Sequence, residues 1–329
     1  MIAETRCSVC RTYLDSEDLF CSNCGTENPA GVDSEGVGID PTTSQLKQQA
    51  SVMSFRCDRC GASMSYDASA KSLRCPFCGS AKMTARPNAR TLKPSGVVPF
   101  RIASNQVESL LRQWLNQGFW KPGDAAQSSV ISKVTQVYVP FWIFSVKTET
   151  AWTADSSAVT PGARGSWLPM SGTRNGNYDG ITVGASGTLT PLEVQEIEPF
   201  DLSQAIPPEQ INLENVIVEE FRVTRRDARA KAASIVEEYE AAESEQVIPG
   251  STRNLKVNVR AQNMRSIPLL LPIWIMVYEY RKQPFRVLVN GQTGEVYGTA
   301  PFSYIKLTGV IAGMFVVMLL IIVIVAFTQ

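Results

Sequence analysis

Apolar positions are spaced very differently along the three parts of the chain. From Val97 to about Pro301 they recur with the periods of strands and helices. Val97–Ile102 reads as a strand. Ser104 is placed to cap a helix carrying Val107, Leu110, Leu111, Trp114 and Leu115 at helical spacing, and Gly118 ends it. Val134–Trp152 is a long strand pattern, residues 153–180 are loop-like in Gly, Ser, Asn and Pro, and Ile181–Ser186 is a short strand. Asn215–Val223 predicts a further strand. Arg225–Glu243 predicts a helix with Ala228, Ala232, Ile235, Val236 and Tyr239 on its apolar side. Strands follow at Leu255–Ala261, Leu269–Tyr280 and Phe285–Val289, then a turn at Asn290–Gly294 and a return strand at Glu295–Gly298. The fold class expected for 97–303 is α+β, with mixed or antiparallel pairing.

The pattern changes completely near the C-terminal end. Leu307–Phe327 is 21 residues without a charge and without a polar face. A helix of that length is about 31 Å long, close to the hydrocarbon thickness of a bilayer. A transmembrane helix is therefore expected over 305–327. Gly309 and Gly313 have the small-xxx-small spacing of close helix approach, although glycine is common in membrane helices generally. Lys306 abuts the span, Arg281, Lys282 and Arg286 lie upstream, and only Thr328 and Gln329 follow. The positive-inside rule then predicts a tail-anchored, single-pass protein of the inner cell membrane with its N-terminal bulk in the cytoplasm.

The first 96 residues hold the candidate chemistry. All 8 cysteines lie there, in four Cys-x-x-Cys pairs, and the chain has no histidine. Cys7 and Cys10 are followed by Cys21 and Cys24 after ten residues; Cys57 and Cys60 are followed by Cys75 and Cys78 after fourteen. A Cys-x-x-Cys turn puts two thiolates on one side of a knuckle, and two facing knuckles supply a tetrahedron of soft ligands suited to zinc. Gly25, Gly61 and Gly79 stand after knuckles, where a positive φ lets backbone N–H groups point at sulfur. Disulfides would need an oxidising compartment, and MIAETRCSVCRTYLDSEDLF has no apolar signal segment. A redox pair would need a βαβ context, and a rubredoxin-type iron site generally separates its knuckles further. The expectation is two four-cysteine zinc ribbons holding two structural Zn2+ ions, with no position left for water. The chain then divides into ribbon 1 (1–30), a flexible linker (31–54), ribbon 2 (55–80), a second linker (81–96), the α+β domain (97–303) and the membrane helix.

Two strands resemble each other register for register: Val137-Tyr-Val-Pro-Phe-Trp-Ile-Phe144 and Leu269-Leu-Leu-Pro-Ile-Trp-Ile-Met276. Each comes after a strand and a helix, which predicts two β-α-β-β halves. Trp142 and Trp274 are then expected as paired core tryptophans rather than ligand contacts.

The Cys-Pro-Phe-Cys-Gly knuckle (75–79), Val-Tyr-Val-Pro-Phe-Trp (137–142), Glu-Pro-Phe-Asp-Leu (198–202), the strand 269–280 and the hairpin 285–301 together resemble bacterial TFIIB-type zinc-ribbon proteins. That group often carries the label of the primosomal helicase PriA, and the resemblance covers Phe55 to about Lys306. It implies a zinc-binding protein without an established activity. The similarity to the helicase is confined to the second ribbon. The motor is missing, since no G-x-x-x-x-G-K-[ST] loop occurs and about 200 residues leave no room for two nucleotide-binding folds.

Charge adds one distinction. Lys+Arg and Asp+Glu are equal at 31 each, so bulk charge points to no partner. Over 1–30 two arginines stand against five acids, a net of −3; over 55–90 seven bases stand against two acids, a net of +5. With Phe55, Tyr66 and Phe77 interleaved, the second ribbon is suited to a phosphate backbone and stacked bases, or to anionic headgroups. Histidine-dependent catalysis is excluded. The acids Glu219, Glu220, Glu237, Glu238, Glu240, Glu243 and Glu245 read as a solvated face, and Asp179 as a turn residue. The chain thus reads as a non-enzymatic membrane-anchored adaptor that docks another protein. The alternative is a membrane-tethered nucleic-acid binder.

Overall fold

The computed structural model describes residues 5–6, 13–14, 52–67, 74–86, 92–158, 165–213 and 216–327. Cys7, Cys10, Cys21 and Cys24 lie outside the described residues. Two short strands, β1 (Thr5–Arg6) and β2 (Tyr13–Leu14), pair antiparallel. The rest is α+β, and the chain divides into two compact units.

The first unit comprises 1–99, 137–194 and 201–272. Its strands are β3 (Val52–Cys57), β4 (Ser63–Asp67), β5 (Met83–Arg86), β6 (Gly96–Val97), most of β7 (Val130–Ser156), β8 (Leu168–Gly184), β9 (Ile217–Glu219) and the first part of β10 (Thr252–Tyr280). They lie in the order β10-β7-β9-β4-β3-β5, with β8 on β7 and β6 on β10. The α-helices among the described residues are α1 (Ser104–Asn116), α2 (Ala125–Ser128), α3 (Pro191–Glu196), α4 (Arg225–Gln246) and α5 (Tyr304–Phe327). In the first unit α4 covers β7 and β8: Ala228, Ala232 and Val236 pack on Trp142, Phe144, Val146, Ile181 and Val183. Thr224 caps the helix, accepting the Asp227 N–H at 3.2 Å.

Residues 153–156 and 168–180 are strand, not the loop that their composition suggests. β7 continues to Ser156, and β8 pairs with it from Phe141↔Gly184 to Ser156↔Leu168. The glycines that read as loop residues stand where other groups come close. A Cβ on Gly172 would collide with the Trp152 indole, and one on Gly176 with Glu240 and Thr148. Asp179 is likewise a strand residue, next to a bulge at Phe144/Ser145 and before Gly180 at φ +82°. β10 also runs unbroken where two strands were expected. Asn263 takes up the irregularity at φ +51°, a conformation Asn tolerates better than most residues.

The second unit comprises 100–136, 195–200 and 273–329. The last residues of β10 pair antiparallel with β11 (Gln283–Asn290), and β11 with β12 (Val296–Gly298). Helix α1 covers this sheet: Val107, Leu111 and Leu115 pack on Trp274, Met276, Tyr278, Val287 and Val289. The N-cap is Ala103, one residue before the expected Ser104, and its N–H is taken by the Gln106 side chain at 2.9 Å.

Each unit has the same local arrangement around its tryptophan. The Trp142 Nε1–H donates to the Val223 carbonyl at 2.9 Å, and the Trp274 Nε1–H to the Ile102 carbonyl at 3.0 Å. Phe221 meets Trp142 edge-on at 5.4 Å, and Phe100 meets Trp274 edge-on at 5.2 Å. Phe221-Arg222-Val223 and Phe100-Arg101-Ile102 each lead into a helix. The N–H groups of Arg222 and Val223 share the Ala185 carbonyl; those of Arg101 and Ile102 share the Gly291 carbonyl. The helix that covers each strand pair is nevertheless not the one that precedes it in the chain. β7 starts in the second unit and carries its tryptophan into the first, and β10 does the reverse.

Both tryptophans are core residues, 1% and 6% exposed. Trp142→Ala and Trp274→Ala should each cost roughly 3–5 kcal/mol, the range for deleting a large buried aromatic. Chemical denaturation checks the magnitude, and hydrogen exchange checks the place. Trp142→Ala should expose α4 and β8 first, and Trp274→Ala should expose α1 and β11.

Candidate metal centre

Two knuckles of identical backbone geometry hold the cysteines of the second set. In the first, the Cys57 N–H donates to the Ala62 carbonyl and the Gly61 N–H to the Cys57 carbonyl, both at 2.8 Å; in the second, the Cys75 N–H donates to Ser80 and the Gly79 N–H to Cys75, both at 2.9 Å. Gly61 and Gly79 sit at φ +76° and +72°, the conformation for which the glycines are needed. The turns bring the four Sγ atoms within 4.8 Å of one another. Cys57 lies 3.5 Å from Cys78, and Cys60 lies 3.5 Å from Cys75, sulfur to sulfur. A tetrahedral ion with Zn–S bonds of about 2.3 Å would set sulfurs about 3.8 Å apart, so the group is positioned to hold one metal ion, and its donor set suits zinc.

The thiols are unequal. Burial acts to raise the Cys57 thiol, but the N–H groups of Cys60 and Arg59 directed at its sulfur outweigh it and hold it down to about 7. Burial pushes Cys60 up to about 11 and raises Cys75 as well. A bound dication would favour the thiolate at all four.

The cluster is paired into the sheet. Its strand β4 pairs antiparallel with β9, Met64↔Glu219 and Ser65↔Val218, and the Glu220 N–H donates to the Ser63 carbonyl at 3.0 Å. The Ser54 hydroxyl donates to the Glu220 carboxylate. Residues 81–96, expected as a second linker, include β5, which pairs with β3, and β6, which pairs with β10. Of the aromatics expected to stack bases, Phe55 and Phe77 are buried. Arg56, Arg59, Arg74, Lys82 and Arg86 are exposed.

Two of the acids expected on a solvated face are buried instead. Strand alternation turns Glu219 inward beside Ile217, and the buried stripe of α4 that recurs every fourth residue at Ala228, Ala232 and Val236 continues through Glu240 and Ser244. Glu240 meets Thr148 and Arg174, and Arg174 donates to the Tyr178 hydroxyl at 3.1 Å. Glu219 Oε1 accepts from the Ser186 hydroxyl at 2.9 Å, the Thr188 hydroxyl at 3.0 Å and the Gly187 N–H at 3.1 Å. Its Oε2 is buried without a hydrogen-bond partner. Burial pushes this carboxyl up to about 7, against the opposing pull of those donors and of Arg222. The only sequence signal for either residue was its register with apolar neighbours.

The segments 198–202 and 285–301 are also joined. The buried Asn290 amide donates to the carbonyls of Ile197 and Pro199 at 2.8 and 2.9 Å, while its Oδ1 accepts from the Gln292 and Thr293 N–H groups at 2.8 and 3.0 Å. The turn is thus a clamp on the Glu-Pro-Phe segment.

No family model matches the chain, and no solved structure matches it. It is similar to the Bacillus subtilis (strain 168) protein described as "Uncharacterized protein YdjG", 26% identical over 235 residues, which make up 68% of each chain.

Glu219 gives a pH dependence of definite sign. Its folded pKa lies above the ordinary carboxylate value, so its contribution is fully present below about pH 4 and is lost as pH rises through about 7. Glu219→Gln stays neutral, so the melting temperature of the wild type relative to this variant should fall between pH 5 and pH 8. A constant difference over that range would mean that Glu219 does not titrate there.

Proposed function

We propose that this protein is a membrane-anchored, cytoplasmic zinc-ribbon protein of the TFIIB-type group, acting as a non-enzymatic adaptor that presents its knuckles to another protein. The observation that carries this reading is the closed cluster: four protein thiols lie close enough to complete a tetrahedron around one ion, which would leave no position for a substrate or water, and the hairpin that carries Cys57 and Cys60 is paired into a sheet. A site so built supplies shape rather than chemistry. Cys7, Cys10, Cys21 and Cys24, with the same pair spacing, make a second site, for two zinc ions in all. α5 is long and apolar enough to cross a membrane. Lys121 and Lys306 beside its N-terminal end, and thiolates that persist in a reducing compartment, favour the cytoplasmic side for the domain. The paired contacts of Trp142 and Trp274 support an internal duplication whose halves have exchanged helices.

Binding of nucleic acid is the second reading, favoured by the exposed basic residues around the cluster. With Phe55 and Phe77 buried, it would rest on charge without those two stacking rings.

The full-length protein in detergent should contain two zinc ions, and Cys75→Ser should contain one. Wild type should capture a protein partner from its own membranes, and Cys75→Ser should not. It should show no binding to single-stranded DNA or RNA at low salt. Binding that falls steeply with salt would replace the adaptor reading with the second one, and an iron absorption band would overturn the zinc assignment.

A further inference from the structure

We propose that the loop Gly118–Lys121, together with Phe302 and Tyr304, is a second membrane contact: Phe119 and Trp120 lie in the lipid headgroup region of the leaflet that α5 enters. The inference rests on reading α5 as a membrane span.

Just before that helix, the second unit exposes a contiguous group of large apolar side chains: Phe119 at 60%, Trp120 at 43%, Phe302 at 44% and Tyr304 at 73%. They form one aromatic series. Phe119 meets Trp120 edge-on at 5.1 Å, Trp120 stacks on Phe302 at 5.5 Å, and Phe302 meets Tyr304 edge-on at 5.5 Å. Gly118, at φ +91°, ends the turn that follows α1 and sends the next three residues toward this group.

Lipid is the occupant because the loop is fastened to the start of the apolar helix. The Ser303 N–H donates to the Trp120 carbonyl at 2.8 Å, and the Lys306 ammonium donates to the Lys121 carbonyl at 2.8 Å while lying 5.6 Å from the Phe119 ring. Where α5 enters a bilayer, the loop is held at the same depth as its first turn. Exposed Trp and Tyr rings, each with a polar edge, are what the membrane–water interface favours, and Trp120 and Tyr304 are of that kind. A protein partner would have to cover these rings at the point where lipid headgroups crowd the helix. The second unit therefore rests on the membrane surface rather than swinging on a stalk.

The test uses full-length protein in bilayers whose lipids carry bromine either near the glycerol end of the acyl chains or near the bilayer centre. Wild-type tryptophan fluorescence should include a component quenched more by the shallow bromines. Trp120→Phe should lose that component, and Phe119→Trp added to Trp120→Phe should restore it. Unchanged quenching in Trp120→Phe, with the protein still resistant to alkaline carbonate extraction, overturns the proposal while leaving the span intact. Extraction of the wild type by carbonate would overturn the span and the proposal together.

Discussion

Four thiols within 4.8 Å of one another cannot all ionise without a cation between them, and much of the first unit is connected to that constraint. An ion held by the four thiols would fix the two knuckles, the first of which closes the hairpin β3–β4. β4 then pairs with β9, the strand that carries Glu219. Four residues beyond Glu219, the Val223 carbonyl receives the Trp142 indole, and Thr224 starts the helix that covers β7 and β8. A zinc ribbon is commonly a module that folds on its own ion. In this chain a strand of the cysteine cluster is also a strand of the domain, so loss of a bound ion would leave β9 without its β4 ladder and Glu220 without its backbone partner.

The two tryptophans make the same local contacts in two differently connected settings. An indole N–H buried in a core needs an acceptor, and in both units the acceptor is the carbonyl of the last residue before the helix N-cap, in Phe-Arg-Ile or Phe-Arg-Val. This single bond ties a strand to the entry of its covering helix. The same contact forms whether or not helix and strand are neighbours in sequence. Because β7 and β10 are long enough to belong to both units, each helix covers strands from the other half of the chain.

Features set by local chemistry were legible in the sequence. The Cys-x-x-Cys-Gly spacing implied the knuckles, the uncharged run 307–327 implied the apolar helix, and the apolar periodicity implied α1 and α4. Features set by a distant partner were not. Gly172 and Gly176 read as loop residues because nothing nearby in sequence shows that an indole and a buried carboxylate will occupy the space above them. Glu240 read as solvated because its partners Thr148 and Arg174 lie on two other strands. Phe55 and Phe77 read as stacking surfaces from composition, whereas a cluster this small needs them for its own core. The packing of α4 on β7 and β8, and of α1 on β10 and β11, was hidden for the same reason: adjacency in sequence is a good guide to packing only when the intervening strand is short.

Through β4 and β9 the hairpin that carries Cys57 and Cys60 is a structural part of the sheet. Hydrogen–deuterium exchange of the full-length protein before and after removal of its metal by a chelator tests it most directly. Ile217–Glu219 should lose protection together with β3 and β4 when the metal is withdrawn. Loss of protection confined to residues 52–86, with Ile217–Glu219 unchanged, would contradict it and return the ribbon to the status of a separate module.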